Sequence, residues 1–184
     1  ISACLVGSEM CIRDRHNITD LRELDQVNWG DYYLKDLFKF KRGNQNKMSD
    51  LIQGSFPLIS AKKIRNGYKN FVEKNNKPLY PGSIISLNND GEGGVGIAYY
   101  QPFKSMLDTH VTALFSNDDV NKYTLLFISR MITKQRNKFS HGYAISTKRL
   151  KRQIIKLPTK NNKPDYEFME QYMKRKENEV LDRI

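Results

Sequence analysis

A glycine-rich segment, Gly91-Glu-Gly93-Gly94-Val-Gly96, has the spacing of a loop that could hold a phosphate or a cofactor. In dinucleotide and methyl-donor sites such a loop leaves a strand and enters a helix, whose first backbone N–H groups face the bound group. Here the loop is followed by β-branched and aromatic residues up to Tyr100 and then by Pro102, which favours a strand. We therefore interpret the segment as the turn of a β-hairpin and not as a cofactor site.

Other residues that could do chemistry lack the partners that a reaction needs. Asp165 and Glu167 are spaced like part of a nuclease carboxylate cluster, but no acidic-x-Lys element follows them. Pro164-Asp165 before an apolar run is typical of a helix start. The three histidines are scattered without the spacing of metal ligands. We therefore expect no catalytic residue, no metal and no cofactor on this chain, which would not be an enzyme in itself.

Several turns carry amide, ammonium and guanidinium groups that could read the edges of DNA bases. Arg and Lys donate to guanine, while Asn and Gln form paired hydrogen bonds with adenine. The candidate base contacts are Arg42, Lys62, Lys63, Asn66, Gln101, Lys138 and His141. For each of them taken alone, a turn-forming Asn or a solvated Lys is the simpler interpretation.

The positive charge of the chain is concentrated in one stretch. The net charge is +11, from 31 Lys and Arg against 20 Asp and Glu. No acidic residue lies between Asn121 and Lys163. The twelve cations of that stretch are Lys122, Arg130, Lys134, Arg136, Lys138, Lys148, Arg149, Lys151, Arg152, Lys156, Lys160 and Lys163. Because such segregated charge repels itself unless a polyanion lies against it, we expect phosphate contacts here, with Lys148 and Arg149 among them. The alternative is a solvated face.

These side chains need a scaffold, and short apolar runs between Gly, Asn, Asp and Pro turns predict one made mainly of strands. The predicted strands are Tyr32–Leu34, Phe38–Lys41, Phe56–Ser60, Tyr68–Val72, Ser83–Leu87, Val95–Tyr100, Val111–Phe115 and Ile154–Leu157, the last ending at Pro158. Helical spacing between Val120 and Lys138 predicts an internal helix capped by Asn117, Asp118 or Asp119. A second helix opens at Pro164-Asp165 and continues to the end of the chain.

The first fifteen residues stand apart from the rest. They open on Ile1 and resemble translated adapter sequence, so we exclude them from fold reasoning; the alternative is a short strand with a basic turn. Both cysteines lie in this stretch, so the remainder has neither a disulfide nor a cysteine zinc site, which fits a reducing cytoplasm. Since no apolar run approaches the roughly 20 residues that cross a bilayer, we expect a soluble cytoplasmic protein with no membrane partner.

The order of several segments between Asn28 and Tyr172 resembles the target-recognition domain of type I restriction-modification specificity subunits, and the related domains of some type II systems. The segments are Trp29 to Gly43, Gly54 to Gly67, Gly91 to Tyr100, Lys138 to Gly142, and Ile155-Lys-Leu-Pro158 with Pro164-Asp-Tyr-Glu-Phe-Met-Glu170. The last pair is the most distinctive. The resemblance implies an α+β (mixed α/β) fold, with a strand-rich recognition domain over 16–160 and the start of a long spacer helix at 164–184.

The resemblance also implies the partners. Double-stranded DNA would bind the domain, and methyltransferase subunits, with an endonuclease subunit in some assemblies, would dock on the spacer helix, where Tyr172 is the candidate contact. The methyl donor and the ATP would be handled by those partner subunits. Members of the family usually carry two recognition domains, so we expect a second domain or a second copy of this chain to complete the split target.

Two other functions remain open from the sequence. The chain could be the recognition fragment of a fused restriction and methylation enzyme. It could also bind single strands or RNA without sequence preference, using its ten tyrosines and nine phenylalanines as stacking platforms. Those aromatics mostly follow strand or helix patterns, in which core packing is the usual role.

Overall fold

A computed structural model describes residues 15–90, 94–138 and 145–183 of the chain. Within them lie ten strands and four α-helices. The strands are β1 (Asn28–Tyr33), β2 (Phe38–Arg42), β3 (Gln53–Ile59), β4 (Tyr68–Val72), β5 (Ile84–Asn88), β6 (Ala98–Gln101), β7 (Met106–Leu107), β8 (Val111–Ser116), β9 (Ile154–Lys160) and β10 (Lys163–Pro164). The helices are α1 (Leu34–Leu37), α2 (Lys122–Lys134), α3 (Thr147–Lys151) and α4 (Tyr166–Leu181). This mixed architecture confirms the predicted fold class.

A four-stranded antiparallel sheet, in the order β2-β8-β5-β6, forms the centre of the molecule. Its register pairs Arg42 with Thr112, Thr112 with Leu87, and Leu87 with Ala98. This row marks one end of the sheet, named here the hairpin end, where β2 and β5 finish and β8 and β6 begin. β5 and β6 pair antiparallel across the glycine-rich segment, which confirms the predicted hairpin.

Two smaller sheets flank the central one. β1, β9 and β10 form an antiparallel sheet, and β3 lies between β4 and β7 in the other. β9 continues through Pro158, which pairs with Trp29, so the predicted strand end at Pro158 is wrong. Proline removes only an N–H donor from a ladder, and the Pro158 carbonyl still accepts a hydrogen bond from the Asp165 N–H at 2.9 Å.

The main core lies between the central sheet and helices α2 and α4, where Leu87, Leu114, Phe127, Ile128 and Phe168 are buried together. α2 falls inside the predicted span, and its apolar face is buried as expected. Its N-cap is Asn121, and none of the three predicted residues holds that place. The Asn121 side chain accepts from the N–H groups of Tyr123 and Thr124 at 3.0 and 3.1 Å. The N-cap therefore lies two residues after Asp119, the last of the candidates.

Two short helices were missed by the sequence. Leu34, predicted to end a strand, begins α1 and is fully buried, because the chain bends there to carry β1 into β2 in a different sheet. α3 begins after Ser146, whose hydroxyl accepts from the Arg149 N–H at 3.3 Å. Both helices are too short to show a periodic pattern. Among the described residues, no helix is long and apolar enough to span a membrane.

The N-terminal segment, residues 15–26, runs antiparallel to α4 and contacts it along its length. The His16 N–H donates to Asn178 Oδ1 at 2.9 Å, and the Thr19 N–H donates to Gln171 Oε1 at 2.9 Å. α2 packs on the same helix through Phe127 and Phe168. Two elements of the same chain therefore cover much of α4. Of the excluded residues 1–15, only Arg15 lies within the described ranges.

Candidate nucleic-acid interface

The loop between β3 and β4, residues 60–67, has a tight backbone that presents several of the predicted contacts. Arg65, Asn66 and Gly67 follow one another with φ of 55°, 53° and 75°. The left-handed region disfavours side chains other than Gly and, to a lesser degree, Asn. The loop is closed by hydrogen bonds from Ser60 N–H to the Gly67 carbonyl at 2.9 Å and from Lys62 N–H to the Ser60 carbonyl at 2.7 Å. An uncommon conformation of this kind persists where its surroundings hold it.

Buried and half-buried polar groups of the β5–β6 hairpin hold this loop. The Lys62 carbonyl accepts from Asn88 Nδ2 at 3.0 Å and from the Tyr99 hydroxyl at 3.3 Å. The Asn66 Nδ2 group donates to the Tyr100 carbonyl at 3.0 Å. Because these contacts use the Lys62 backbone and one Asn66 nitrogen, the ammonium groups of the loop stay available for a ligand.

Gln101 lies beneath the loop. Only 4% of the residue is exposed. Its Nε2 donates to the Asn66 carbonyl and to Ser86 Oγ, both at 2.9 Å, and its Oε1 accepts from Asn66 Nδ2 at 3.3 Å. In this structure the Gln101 amide supports Asn66 from inside the sheet, and its contact with a base stays a prediction. Gln101 pairs with Ile84 of the neighbouring strand β5, and this pairing could not be predicted from its position next to a turn.

The cations of the loop have no acidic partner in the described part of the chain. Lys63 and Arg65 are exposed and Lys62 is half-buried, and none of the three forms an ion pair with a described carboxylate. Between Asp50 and Glu73 the sequence has no acid at all. Arg65 was not among the candidate contacts. The acid-free run from residue 51 to 72 was visible in the sequence, but only the longer acid-free stretch between Asn121 and Lys163 was used to locate the positive charge.

Arg42 ends β2 at the hairpin end. Its Nε donates to the Thr109 carbonyl at 2.6 Å, and an Nη lies 4.0 Å from Asp90 Oδ2. Asp90 Oδ1 lies 2.6 Å from His110 Nδ1. Gly43 is required next to Arg42, since a Cβ there would lie 1.8 Å from the Asp108 carbonyl oxygen. The side chain of Arg42 is 53% exposed, so it is oriented by its neighbours and still reaches solvent.

The basic stretch is only partly within the described residues. His141 lies outside them. Lys138 ends a short 3-10 helix, and only its backbone is among the described parts. Lys148 is exposed and Arg149 is half-buried on α3. The Ile145 N–H, just before α3, donates to the Asn89 carbonyl at 2.7 Å, which brings the start of this helix to the hairpin end.

The structure therefore brings part of the predicted set together. Arg42 and the start of the 60–67 loop lie at the hairpin end, and α3 begins there. Asn66, at the other end of the loop, lies beside Tyr100 of β6, farther from the hairpin end. A cleft of about 430 Å³ opens between the loop, β6 and α2, and its lining includes Lys63, Asn66, Tyr99, Tyr100 and Arg130. Two cations beside tyrosine rings suit an anionic ligand that carries a flat, stackable face.

Tyr172, the predicted partner contact, lies within the chain's own aromatic cluster. Its ring centroid is 5.8 Å from those of Phe127 and Phe168, and it is half-buried. Arg175 and Lys176 lie over its ring at 5.3 and 5.4 Å. The ring thus stabilises the junction between α2 and α4, and its role toward a partner stays a prediction. No group of three or more His, Cys, Asp or Glu that could hold a metal ion occurs in residues 15–90, 94–138 and 145–183.

Comparison with solved structures finds the same fold in two specificity subunits. The type I restriction-modification S subunit of M. genitalium has a TM-score of 0.59 at 17% identity, over 99% of this chain and 43% of that one. The HsdS subunit of Thermoanaerobacter tengcongensis has a TM-score of 0.58 at 16% identity, over 97% of this chain and 44% of that one. At these identities the likeness concerns the fold.

Comparison of sequences identifies the family as well as the fold. The chain is 34% identical over 174 residues to the specificity subunit S.BcgI of a type II restriction enzyme from Heyndrickxia coagulans. The match covers 94% of this chain and 50% of that relative, so the chain spans about half of the curated protein that it resembles. The family model for the type I restriction modification DNA specificity domain matches residues 26–184. The chain therefore belongs to the family of type I restriction-modification DNA specificity domains.

Proposed function

We propose that this chain recognises a DNA sequence as the specificity component of a restriction-modification system, and that it directs methyltransferase and endonuclease subunits to that site. One observation carries the proposal: the 60–67 loop holds three cations and an asparagine on a backbone tied to the central sheet by Asn88, Tyr99 and Gln101. Sequence readout needs hydrogen-bonding groups held in a fixed position, because a mobile cation contacts any phosphate equally well.

The roles of the individual residues follow from their placement. Asn66, Lys63, Lys62 and Arg42 are the proposed base contacts. The Lys62 backbone is held by Asn88, and the Asn66 and Arg42 side chains are oriented by hydrogen bonds to the Tyr100 and Thr109 carbonyls. Lys138 and His141 keep the same proposed role. Lys148 and Arg149, on α3, are the proposed phosphate contacts, which position the duplex without reading it. Gln101 acts by holding Asn66.

Catalysis and cofactors belong, in this proposal, to other chains. The chain would be non-catalytic, and the methyl donor and ATP would bind partner subunits. Because the relatives are about twice as long, a second recognition domain or a second copy of this chain would supply the other half of a split target. Partner subunits would dock on the exposed side of α4, near Tyr172.

The test is selection of a random double-stranded DNA library on the full chain at two salt concentrations, followed by sequencing of the retained DNA. We expect a short motif to be enriched at the higher salt, because base contacts survive where phosphate contacts weaken. Uniform retention that disappears with salt would overturn the specificity proposal and leave only a basic surface.

Variants then separate base readout from phosphate contact. Asn66→Ala should relax the selected motif at one position, at a cost of about 1 to 3 kcal/mol against the preferred base. The double variant Lys148→Ala/Arg149→Ala should weaken binding to all sequences alike. Lys35→Ala is the matched control, because Lys35 is exposed on α1, at the opposite end of β2 from Arg42.

A further inference from the structure

A β-bulge in the sheet of β3 and β4 places two aromatic rings side by side. Ile59 pairs with Tyr68, Leu58 with Asn70 and Pro57 with Phe71, so that Lys69 is an extra residue on β4. Residues three apart on a regular strand face opposite sides, but the bulge shifts the alternation by one. Tyr68 and Phe71 therefore share a face, with ring centroids 5.1 Å apart.

A third ring completes this surface. A groove of about 190 Å³ is lined by Pro57, Tyr68, Pro102 and Phe103, with Asn66 and Gln101 beside them. Phe103 is 73% exposed and Phe71 is 47% exposed. Tyr68, Phe71 and Phe103 are named here the aromatic surface.

The core of this small sheet lies on the side away from the aromatic surface. The opposite face of the same small sheet already buries Leu58, Val72 and Met106 in a core of their own. Two phenylalanines left in water on adjacent segments are unfavourable unless something covers them, and clustered exposed apolar groups commonly mark a binding site.

The charge around the aromatic surface indicates what covers it. The two segments that form it, 51–72 and 95–107, contain no acidic residue. They carry Lys62, Lys63, Arg65, Lys69 and Lys104. Apolar rings bordered by cations, next to the Asn66 amide, complement a nucleic acid, which offers stacked bases between phosphates.

We propose that the aromatic surface contacts the bases of the bound duplex, with Phe103 inserted partly between two adjacent base pairs beside the position read by Asn66. The inference rests on the proposed function and adds a second kind of readout to it. Pyrimidine–purine steps unstack most easily, so insertion would favour a flexible step next to the hydrogen-bonded bases.

The test uses the full chain and a duplex that carries the selected motif, with thymines at successive steps. Permanganate oxidises thymines that have lost stacking. We expect wild-type protein to make one thymine step reactive, and Phe103→Ala to abolish that reactivity and weaken binding by about tenfold. Phe71→Ala should have a smaller effect of the same kind. Tyr33→Ala, which removes an exposed ring from β1, is the control and should change neither readout.

The outcomes separate this inference from the proposed function. If Phe103→Ala selects the same motif with unchanged affinity and wild-type protein exposes no thymine, insertion is overturned while sequence recognition stands. If Phe103→Ala binds DNA normally but loses a methyltransferase partner, the surface is a protein-docking site and the inference is wrong. If wild-type protein selects no motif, both proposals fail.

Discussion

Two regions of the molecule use lysine and arginine in opposite ways. One is the contact between the N-terminal segment (residues 15–26) and α4 with its cap Asp165, named here the clasp; the other is the 60–67 loop. In the clasp, most cations have a carboxylate partner. Arg15 pairs with Asp182, Arg22 with Asp20 and Asp165, Lys174 with Glu170, Arg175 with Glu23, and Lys176 with Glu179. The positive and negative charges there largely neutralise each other, and several of the ion pairs join the N-terminal segment to α4.

In the loop, Lys62, Lys63 and Arg65 have no carboxylate partner among the described residues, and the nearest acids in sequence are Asp50 and Glu73. The loop is held by neutral amides and a tyrosine hydroxyl instead. Its charge is therefore not neutralised within the described structure and is available to a polyanion. DNA binding therefore depends less on the total net charge of +11 than on where in the fold the cations lack a carboxylate partner.

The largest expected effect comes from discharging the loop. The triple variant Lys62→Ala/Lys63→Ala/Arg65→Ala should make the slope of log affinity against log salt shallower by about 2 to 3, because each cation removed from the DNA surface leaves roughly one counterion unreleased. The melting temperature should change little, since no ion pair is broken. An unchanged slope in a salt titration of DNA binding would contradict the role given to the loop.

A smaller effect is expected from breaking the clasp at Asp165. Its carboxylate, 2% exposed, caps α4 by accepting from the Phe168 N–H at 3.1 Å and lies 3.0 Å from the Arg22 guanidinium. Asp165→Ala should lower the free energy of unfolding by about 2 kcal/mol, through the lost helix cap and the lost ion pair with Arg22, which keeps only Asp20 as its partner. Denaturant titration measures this. Asp165→Asn, which keeps the cap, should cost less, and DNA affinity of the folded variants should stay the same.

The smallest expected effect is the pH response of the clasp. The hydrogen bond from His16, with that from Tyr123, lowers the pKa of Glu177, and the hydrogen bonds from Arg22 lower the pKa of Asp20. Folding thus lowers both pKa values, so their stabilisation is complete above the ordinary carboxyl range near about pH 4 and is lost as pH falls through the lowered values.

Glu177→Gln tests this response. The side chain is 43% exposed, so solvent screening limits the loss to about 0.5 kcal/mol at neutral pH. Melting temperatures followed from pH 7 downward should fall less steeply for the variant than for the wild type. Glu73→Gln, an exposed carboxylate outside the clasp, is the control. Equal slopes for wild type and Glu177→Gln would contradict the assignment.

Sequence patterns predicted most of the strands, because short alternating runs between turn residues are local features. Tyr68–Val72 was placed correctly, and Phe38–Lys41 within one residue. The errors arose where distant parts of the chain decide the local structure. Leu34 enters a helix because the chain changes sheets there, and β9 passes through Pro158 because β1 pairs alongside it. The family resemblance is confirmed by the match over residues 26–184.

The candidate site was predicted less completely. Asn66 and Gln101 were both chosen for their amides, but burial separates them: Asn66 is exposed on the loop, and Gln101 is its support. Residue type and turn placement cannot distinguish an amide that faces solvent from one that faces a neighbouring strand. Tyr68 and Phe71 follow a strand pattern in which core packing is the usual role. The bulge that exposes both on one face was not predictable, since it depends on the pairing of β4 with β3.

The sequence by itself determined the family, the excess of positive charge, and the alternation of strands and turns, because composition and local periodicity are properties of the chain alone. Only the tertiary structure decided which cations of the described residues have a carboxylate partner and which aromatic rings stay exposed. Both depend on neighbours far away in the chain: Asp165 lies 143 residues from Arg22, and the Asn66 side chain contacts Gln101 35 residues away. Pairing and burial are set by what packs against a side chain, and the fold alone brings those groups together.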